Sequence, residues 1–419
     1  VPVWNEEEQK YIYASPVYDA LDTNIPKDIM NFARVPFDNN LPLFPHRSDV
    51  LKYLRDYSAP YEKYVKFSRK VVDVVRNAEN TKWVVISRPL GVKETKGGQV
   101  ALDIPGFEDK SDEFDALVIA TGNYELPLIP NREGLAEWNA KYPNSVEDVK
   151  LYRSPQDYKD IKGKILVLGN SASANDLCFQ IVESLDNVKV WKLKRSENNM
   201  PAGTSSKIIE VADVKKFDPE TKLVEFVDGT KLEDVDKVIF ATGYLRSFPF
   251  FKLLNKSEYP IITDGIRVRG LYKHLILYNY PHLAVIGLGR YFLPTRSSEI
   301  QAAFLAKLWG GKIPEPLKET MTKWESDRVL DKGDGRNFHD LLFPDDVHYN
   351  NELNAEIEAV EGGFVPFKWN KEQISLRGYI KNIKEAYIKC KSETGRLVKD
   401  YNELVDLGYL ETFMMSDKE

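Results

Sequence analysis

The plainest chemical potential in this sequence lies in one glycine turn and its surroundings. Lys164-Ile165-Leu166-Val167-Leu168 runs into Gly169-Asn170-Ser171-Ala172-Ser173-Ala174-Asn175, and a second apolar strand follows from Asn187 to Leu193. Strand, tight turn, helix, strand is the unit that offers the free N–H groups of a helix start to a diphosphate. Ser171 and Ala174 stand where the ideal dinucleotide pattern has its second and third glycines, so the turn takes its meaning from context. The second strand ends in Lys192-Leu193-Lys194-Arg195. An acidic residue at that place favours NAD, whereas a basic cluster can hold the 2′-phosphate of NADP. On this reading Gly169, Ser171, Ser173, Ala174, Asn175 and Arg195 line a nicotinamide-dinucleotide site; an ordinary strand-helix turn with a solvated basic edge is the plain alternative.

The elements that must position this turn announce themselves by an internal echo. Phe114 to Gly122 (FDALVIATG) and Val235 to Gly243 (VDKVIFATG) are apolar runs with nearly the same ending. A buried parallel strand reads as such a continuous run, and a glycine after it lets a ligand approach the backbone at the sheet's carboxyl edge. Thr121, Gly122, Thr242 and Gly243 are therefore cofactor-contact candidates. The dinucleotide unit lies between the echoes, which predicts an α/β protein with one Rossmann-like domain inserted in another: residues 146–245 within a discontinuous partner of 1–145 and 246–419. Short strands are expected at Val71 to Val75 and Trp83 to Ile86. Helices are expected at Ser297 to Trp309, ending at Gly310-Gly311, at Glu352 to Val360 and at Ile383 to Val398. His46 reads as a loop residue ahead of a helix capped by Ser48.

Composition narrows the function classes. The chain has 419 residues, 42% hydrophobic and 29% charged, enough for two or three packed domains. Its net charge of −6, with both signs interspersed, gives no footprint for nucleic acid. Two cysteines, Cys178 and Cys390, are too few for a disulfide framework and read as packing thiols in a reducing compartment. The five histidines show no metal-ligand spacing and no Ser-His-Asp pattern, so no metal is expected. No run approaches the roughly 18 apolar residues of a membrane span, and no basic-then-apolar signal opens the chain; the expectation is a cytoplasmic protein, which could pair as a homodimer.

With these residues in view, the sequence resembles the flavin-containing monooxygenase family, particularly its small fungal members, within the two-dinucleotide-domain flavoproteins. The resemblance begins at Val3-Trp4, similar to the end of that family's Gly-Gly-x-Trp element. It continues through Tyr18 to Met30, Val35-Pro36-Phe37 and Leu41 to Pro45, and then takes in both Ala-Thr-Gly ends, the Gly169 turn and Ser298-Glu299-Ile300-Gln301-Ala302. It implies FAD and NADPH as cofactors, with Trp4, Thr23, Asn24 and Gln301 near the flavin. It implies an oxygenation of soft nucleophiles, sulfur or nitrogen compounds with small thiols among the candidates, by molecular oxygen through a C4a-hydroperoxyflavin. Asn24 is the residue assigned to chemistry, its amide donating a hydrogen bond without giving up a proton; a turn-forming Asn before Ile25-Pro26 is the plain alternative. A solvent-facing helix Gln is the plain alternative for Gln301.

Two departures accompany the resemblance. The family's glycine-rich FAD loop would precede Val1, so a chain truly starting there lacks roughly 30 to 40 residues, one βαβ unit, and is expected to bind FAD poorly. A His that the family carries ahead of the NADP turn is replaced here by Tyr152 or Arg153, the latter still able to contact a phosphate. Rival readings are an NADPH oxidase releasing hydrogen peroxide and a non-catalytic truncated paralogue. A disulfide reductase is disfavoured because Cys178 and Cys390 lie far apart in sequence.

Overall fold

The computed structural model describes residues 3–5, 10–12, 15–95, 98–102, 108–194 and 200–411. Arg195 lies outside the described residues, and Trp4 is described only as part of the strand Val3–Asn5.

The run Lys164–Leu168 becomes a strand over those same residues, and its four apolar side chains are all buried. It lies in a five-stranded parallel sheet whose spatial order is Val146–Asp148, Val235–Phe240, Lys164–Leu168, Val190–Leu193, Ile208–Val211. Because side chains alternate across a strand, each face needs its own cover. Ile165, Val167 and Ile239 pack with Leu177, Cys178, Ile181 and Val182 of the helix Ala172–Ser184. Leu166, Leu168, Val238 and Phe240 face the other way, onto Trp138, Phe217 and Phe226. Two covered faces explain why these strands read as unbroken apolar runs.

The first echo occupies another sheet. Leu117–Ile119 pairs in parallel with Leu283–Val285, and Ile276–Leu277 and Leu271–Tyr272 extend that sheet antiparallel. Leu117–Ile119 is the edge strand, with Val118 exposed. A second layer, the antiparallel strands Arg69–Arg76, Trp83–Pro89 and Lys110–Phe114, buries Val74 and Trp83 against Phe248, Phe251 and Leu277. On the remaining side the helices Pro294–Trp309 and Asp345–Glu358 share a core built on Phe304, Leu308, Leu353 and Ile357. The long helix Lys371–Thr394 packs Ile383 and Tyr387 against Leu43 and Phe44.

Several boundaries differ from the sequence reading. The helix expected at Ser297 begins at Pro294, a residue suited to a first helical turn, and ends at Trp309 before Gly310 as expected. The helix expected at Ile383 to Val398 starts instead at Lys371, where Asn370 and Gln373 form a reciprocal cap, and stops before left-handed Gly395. The helix expected at Glu352 starts at Asp345. Ser48 is not the cap of Arg47–Ser58: His46 is, its ring Nδ1 accepting from the Ser48 N–H at 3.3 Å while the Asp49 carboxylate accepts from the His46 N–H at 3.1 Å. No helix among the described residues is long and apolar enough to cross a membrane.

Candidate active site

Both echoes end in the same local device. Gly122 and Gly243 have φ of +78° and +92°, a region open to glycine and strained for other residues. The second echo abuts the Gly169 turn: the Ala241 N–H donates to Leu168 O at 3.0 Å, and a Cβ on Gly169 would stand 2.4 Å from Ala241 O. Glycine at 169 is thus the condition for two neighbouring strand ends to meet. Ser171 caps the helix Ala172–Ser184 in extended conformation without using its side chain, and no acidic residue occupies the first turn. Ser171 and Ser173 are exposed, so the helix start, with its free N–H groups, opens outward at the point where strand order reverses. This arrangement fits a diphosphate.

Other residues assigned to that site have structural duties. Ala174 is core. Asn175 is buried, donating to Pro201 O at 3.1 Å and accepting from Lys192 Nζ at 3.0 Å. Lys192 is thereby withdrawn from the basic strand end, and Lys194 pairs with Glu210 at 3.0 Å. Arg153, the other phosphate candidate, bonds to backbone. Its guanidinium donates to the carbonyls of Val17, Tyr152, Ser15 and Lys150 at 2.8 to 2.9 Å, tying residues 15–17 to the strand ends of the parallel sheet. Tyr152 is fully buried between Tyr18 and Tyr158 with its hydroxyl on Gln180 Oε1.

In the other lobe, Thr121 and Gly122 are exposed, and a Cβ on Gly122 would meet nothing within 4 Å. The turn is held from behind by Asn123, whose Nδ2 donates to Gly287 O at 2.6 Å. Gln301 is buried rather than solvent-facing. Its Oε1 accepts from the Gly287 N–H at 3.0 Å, and its Nε2 donates to the Tyr349 hydroxyl at 2.7 Å. Both ends of that amide are occupied, so Gln301 braces the turn after Leu283–Val285 where the sequence had suggested direct contact with a flavin. Thr242 likewise turns its hydroxyl onto Leu128 O.

Asn24 differs from all of these. It is half-buried, and its carboxamide has no hydrogen-bond partner among the described residues. Its backbone, by contrast, is fixed on both sides. The Thr23 N–H donates to Pro45 O at 2.9 Å, Thr23 Oγ1 donates to Ile25 O at 2.8 Å, and Lys384 Nζ donates to Thr23 O at 2.7 Å. Lys384 comes from the long C-terminal helix, and burial pushes its ammonium down to about 8. Further along, Glu299 accepts from the Ala33 N–H at 2.9 Å, and Arg296 donates to Asp28 O at 3.2 Å from between the rings of Phe367 and Trp369. A held backbone carrying an unspent amide is what a ligand-facing residue requires. The loop also touches the dinucleotide lobe: the Tyr18 hydroxyl donates to Asp176, and Gln180 Nε2 donates to Ala20 O at 3.3 Å.

Sequence reasoning missed the residues that hold these turns, namely Asn123, Arg296, Glu299 and Lys384. It also missed the arginines Arg246, Arg290 and Arg336 near Gly243 and Gly289. They come from separate segments, and nothing in their local sequence marks them. A cavity of about 820 Å³ between Phe179, Gly203 and the C-terminal helix contains none of the predicted site residues. Cys178 and Cys390 are both buried and unbonded to each other, and burial pushes the Cys178 thiol up to about 12, the behaviour of packing thiols.

Comparison with known proteins identifies the family and the fold. The flavin-binding monooxygenase-like family matches residues 2–196 and 184–361. A thiol-specific monooxygenase of Saccharomyces cerevisiae is 26% identical over 400 residues, covering 90% of this chain and 82% of the relative. The flavin-containing monooxygenase iboF of Amanita muscaria is 26% identical, covering 78% of this chain and 68% of its own length. Among solved structures, the S-allyl-L-cysteine S-oxygenase of Allium sativum superposes with a TM-score of 0.72 at 22% identity, over 97% of this chain and 86% of that one. Tmm of Pelagibacter gives 0.68 at 23% identity, over 92% and 80%. These two likenesses speak to the fold: two Rossmann-like lobes. The chain belongs to the flavin-binding monooxygenase family, whose oxidoreductases work with FAD and NADPH.

Proposed function

We propose that this chain oxygenates small soft nucleophiles, sulfur compounds first and amines second, with residues 146–245 as its NADP lobe and 1–145 with 246–419 as its FAD lobe. The observation that carries the reading is Asn24: an amide left unspent on a backbone fixed by Thr23 and Lys384. The names of two similar proteins, a thiol-specific monooxygenase and an S-allyl-L-cysteine S-oxygenase, favour sulfur.

When bound, the flavin, reduced by NADPH, supplies an electrophilic oxygen from O2. The chain's own residues bind, orient and shield. The Gly169 turn and the helix start at Ala172 would hold the nicotinamide dinucleotide's diphosphate, and the Thr121-Gly122 turn would lie against the flavin nucleotide. Asn24 would donate a hydrogen bond beside the flavin ring without surrendering a proton, and no general acid or base of the protein is required. The test is NADPH consumption and oxygen uptake, followed with thiols, thioethers and tertiary amines, with peroxide and oxygenated product both quantified. The reading expects product to exceed peroxide for at least one sulfur compound. Peroxide equal to the NADPH consumed with every substrate would make the chain an oxidase instead.

A further inference from the structure

Three arginines from three segments converge where the carboxyl ends of the two sheets face each other. Arg246 follows Gly243, and its Nη2 donates to Leu288 O at 3.0 Å. Arg290 follows the Gly287-Leu288-Gly289 turn, donating to Arg336 O at 3.1 Å and to the Tyr291 hydroxyl at 2.8 Å, with Nε 3.2 Å from Asp340 Oδ1. Arg336 donates to Thr242 O at 3.0 Å, and its Nη2 lies where a Cβ on Gly243 would be, 2.1 Å from that position. They form a graded series, with Arg246 buried, Arg290 part-buried and Arg336 exposed.

The charges do not balance. Arg290 and Arg336 act on Arg246 as repelling charges and Asp340 as an attracting one, so among the described residues the guanidinium groups outnumber the carboxylate they share. The neighbouring Arg328 has Asp331 as its own partner, 3.8 Å away. Arg246 Nε is buried with no acceptor among the described residues. An orphaned buried donor costs about 1–3 kcal/mol. Crowded guanidinium groups repel one another, and an entering oxyanion removes both penalties at once. The planar fork of each guanidinium matches phosphate and carboxylate oxygens.

We propose that Arg246, Arg290 and Arg336 bind an anionic oxygen group of a ligand, a phosphate or a carboxylate, in the crevice between the lobes. This rests on the two-lobed oxygenase reading and adds to it the charge of what enters: the diphosphate of a dinucleotide or the carboxylate of an acidic thiol. Thermal unfolding of the purified chain with inorganic pyrophosphate tests the shared chemistry without turnover, so failure here is separable from failure to oxygenate. Saturable stabilisation is expected beyond that of potassium chloride at equal ionic strength. Its midpoint should rise on the order of tenfold in Arg336→Gln, which sits at the exposed mouth where folding is least at risk, and in Arg246→Met, with Arg246→Lys between. Protection matched by the chloride control, or a midpoint unchanged within twofold in Arg336→Gln, overturns the site. The source of the anion follows from the same variants: weakened NADP⁺ binding assigns it to the cofactor. A raised KM for mercaptosuccinate with none for its uncharged dimethyl ester assigns it to substrate. If neither changes, the proposal falls.

Discussion

Asn24 and Lys384 make opposite demands on their surroundings. The Asn24 carboxamide has no partner among the described residues, so Asn24→Ala should leave the unfolding midpoint nearly unchanged while lowering oxygenated product on the order of tenfold or more, with peroxide rising in its place. Equal yields in variant and parent would return Asn24 to the status of a turn residue before Pro26. Lys384 spends its ammonium on Thr23 O in a buried place, and its pKa falls from 10.5 to about 8. Between those values the unfolded chain holds more protons than the folded one, so this group makes stability rise with pH there; below about 8 its cost is fully present. Relative to Lys384→Met, the parent should gain up to roughly 3 kcal/mol in urea unfolding between about pH 7.5 and pH 10. Parallel pH curves for the two proteins would contradict this.

At the scale of elements, the two glycine turns separate space from backbone strain. Gly169→Ala drives a methyl into Ala241 O, and since the two nearest atoms are backbone it should cost about 1–3 kcal/mol and weaken NADP⁺ binding. Gly122→Ala meets open space and pays only for its positive φ, about 1 kcal/mol. Denaturant midpoints for the pair decide whether the Gly169 turn is a steric hinge between strands or merely a loop. The Gly169 turn was legible because a strand covered on both faces writes itself as a continuous apolar run, as in Lys164–Leu168; Leu117–Ile119, an edge strand with Val118 exposed, was legible through its echo of the second run. The antiparallel sheet Val214–Asp218, Leu223–Phe226 and Lys231–Glu233 was not read, since its exposed face interrupts every apolar run with charge. Only Asp228-Gly229, a hairpin signal, announced it. Gln301 was placed on the right helix, but no pattern in one sequence tells a brace from a ligand. That distinction depends on Gly287 and Tyr349, which meet it only in the fold.

At the scale of the whole molecule, the lobes are joined by more than the two chain crossings. The C-terminal helix touches both: Lys384 and Lys391 hold Thr23 and Asp22, while Glu385 accepts from the Ala202 N–H at 3.3 Å and Ser392 donates to Glu183 at 3.0 Å. Arg153 adds to the same seam by gathering four carbonyls, two from residues 15–17 and two from residues 150–152. Hydrogen bonds from a charged donor contribute about 1.5–3 kcal/mol each but share one side chain here, so Arg153→Ala should cost roughly 2–4 kcal/mol in total. Because none of its assigned bonds points toward the Gly169 turn, NADP⁺ affinity measured at a temperature where the variant is folded should change less than roughly threefold. A tenfold loss of NADP⁺ affinity with the unfolding midpoint intact would reverse the assignment and make Arg153 a phosphate ligand. The opposite pattern would identify it as the clasp that sets the distance between the lobes.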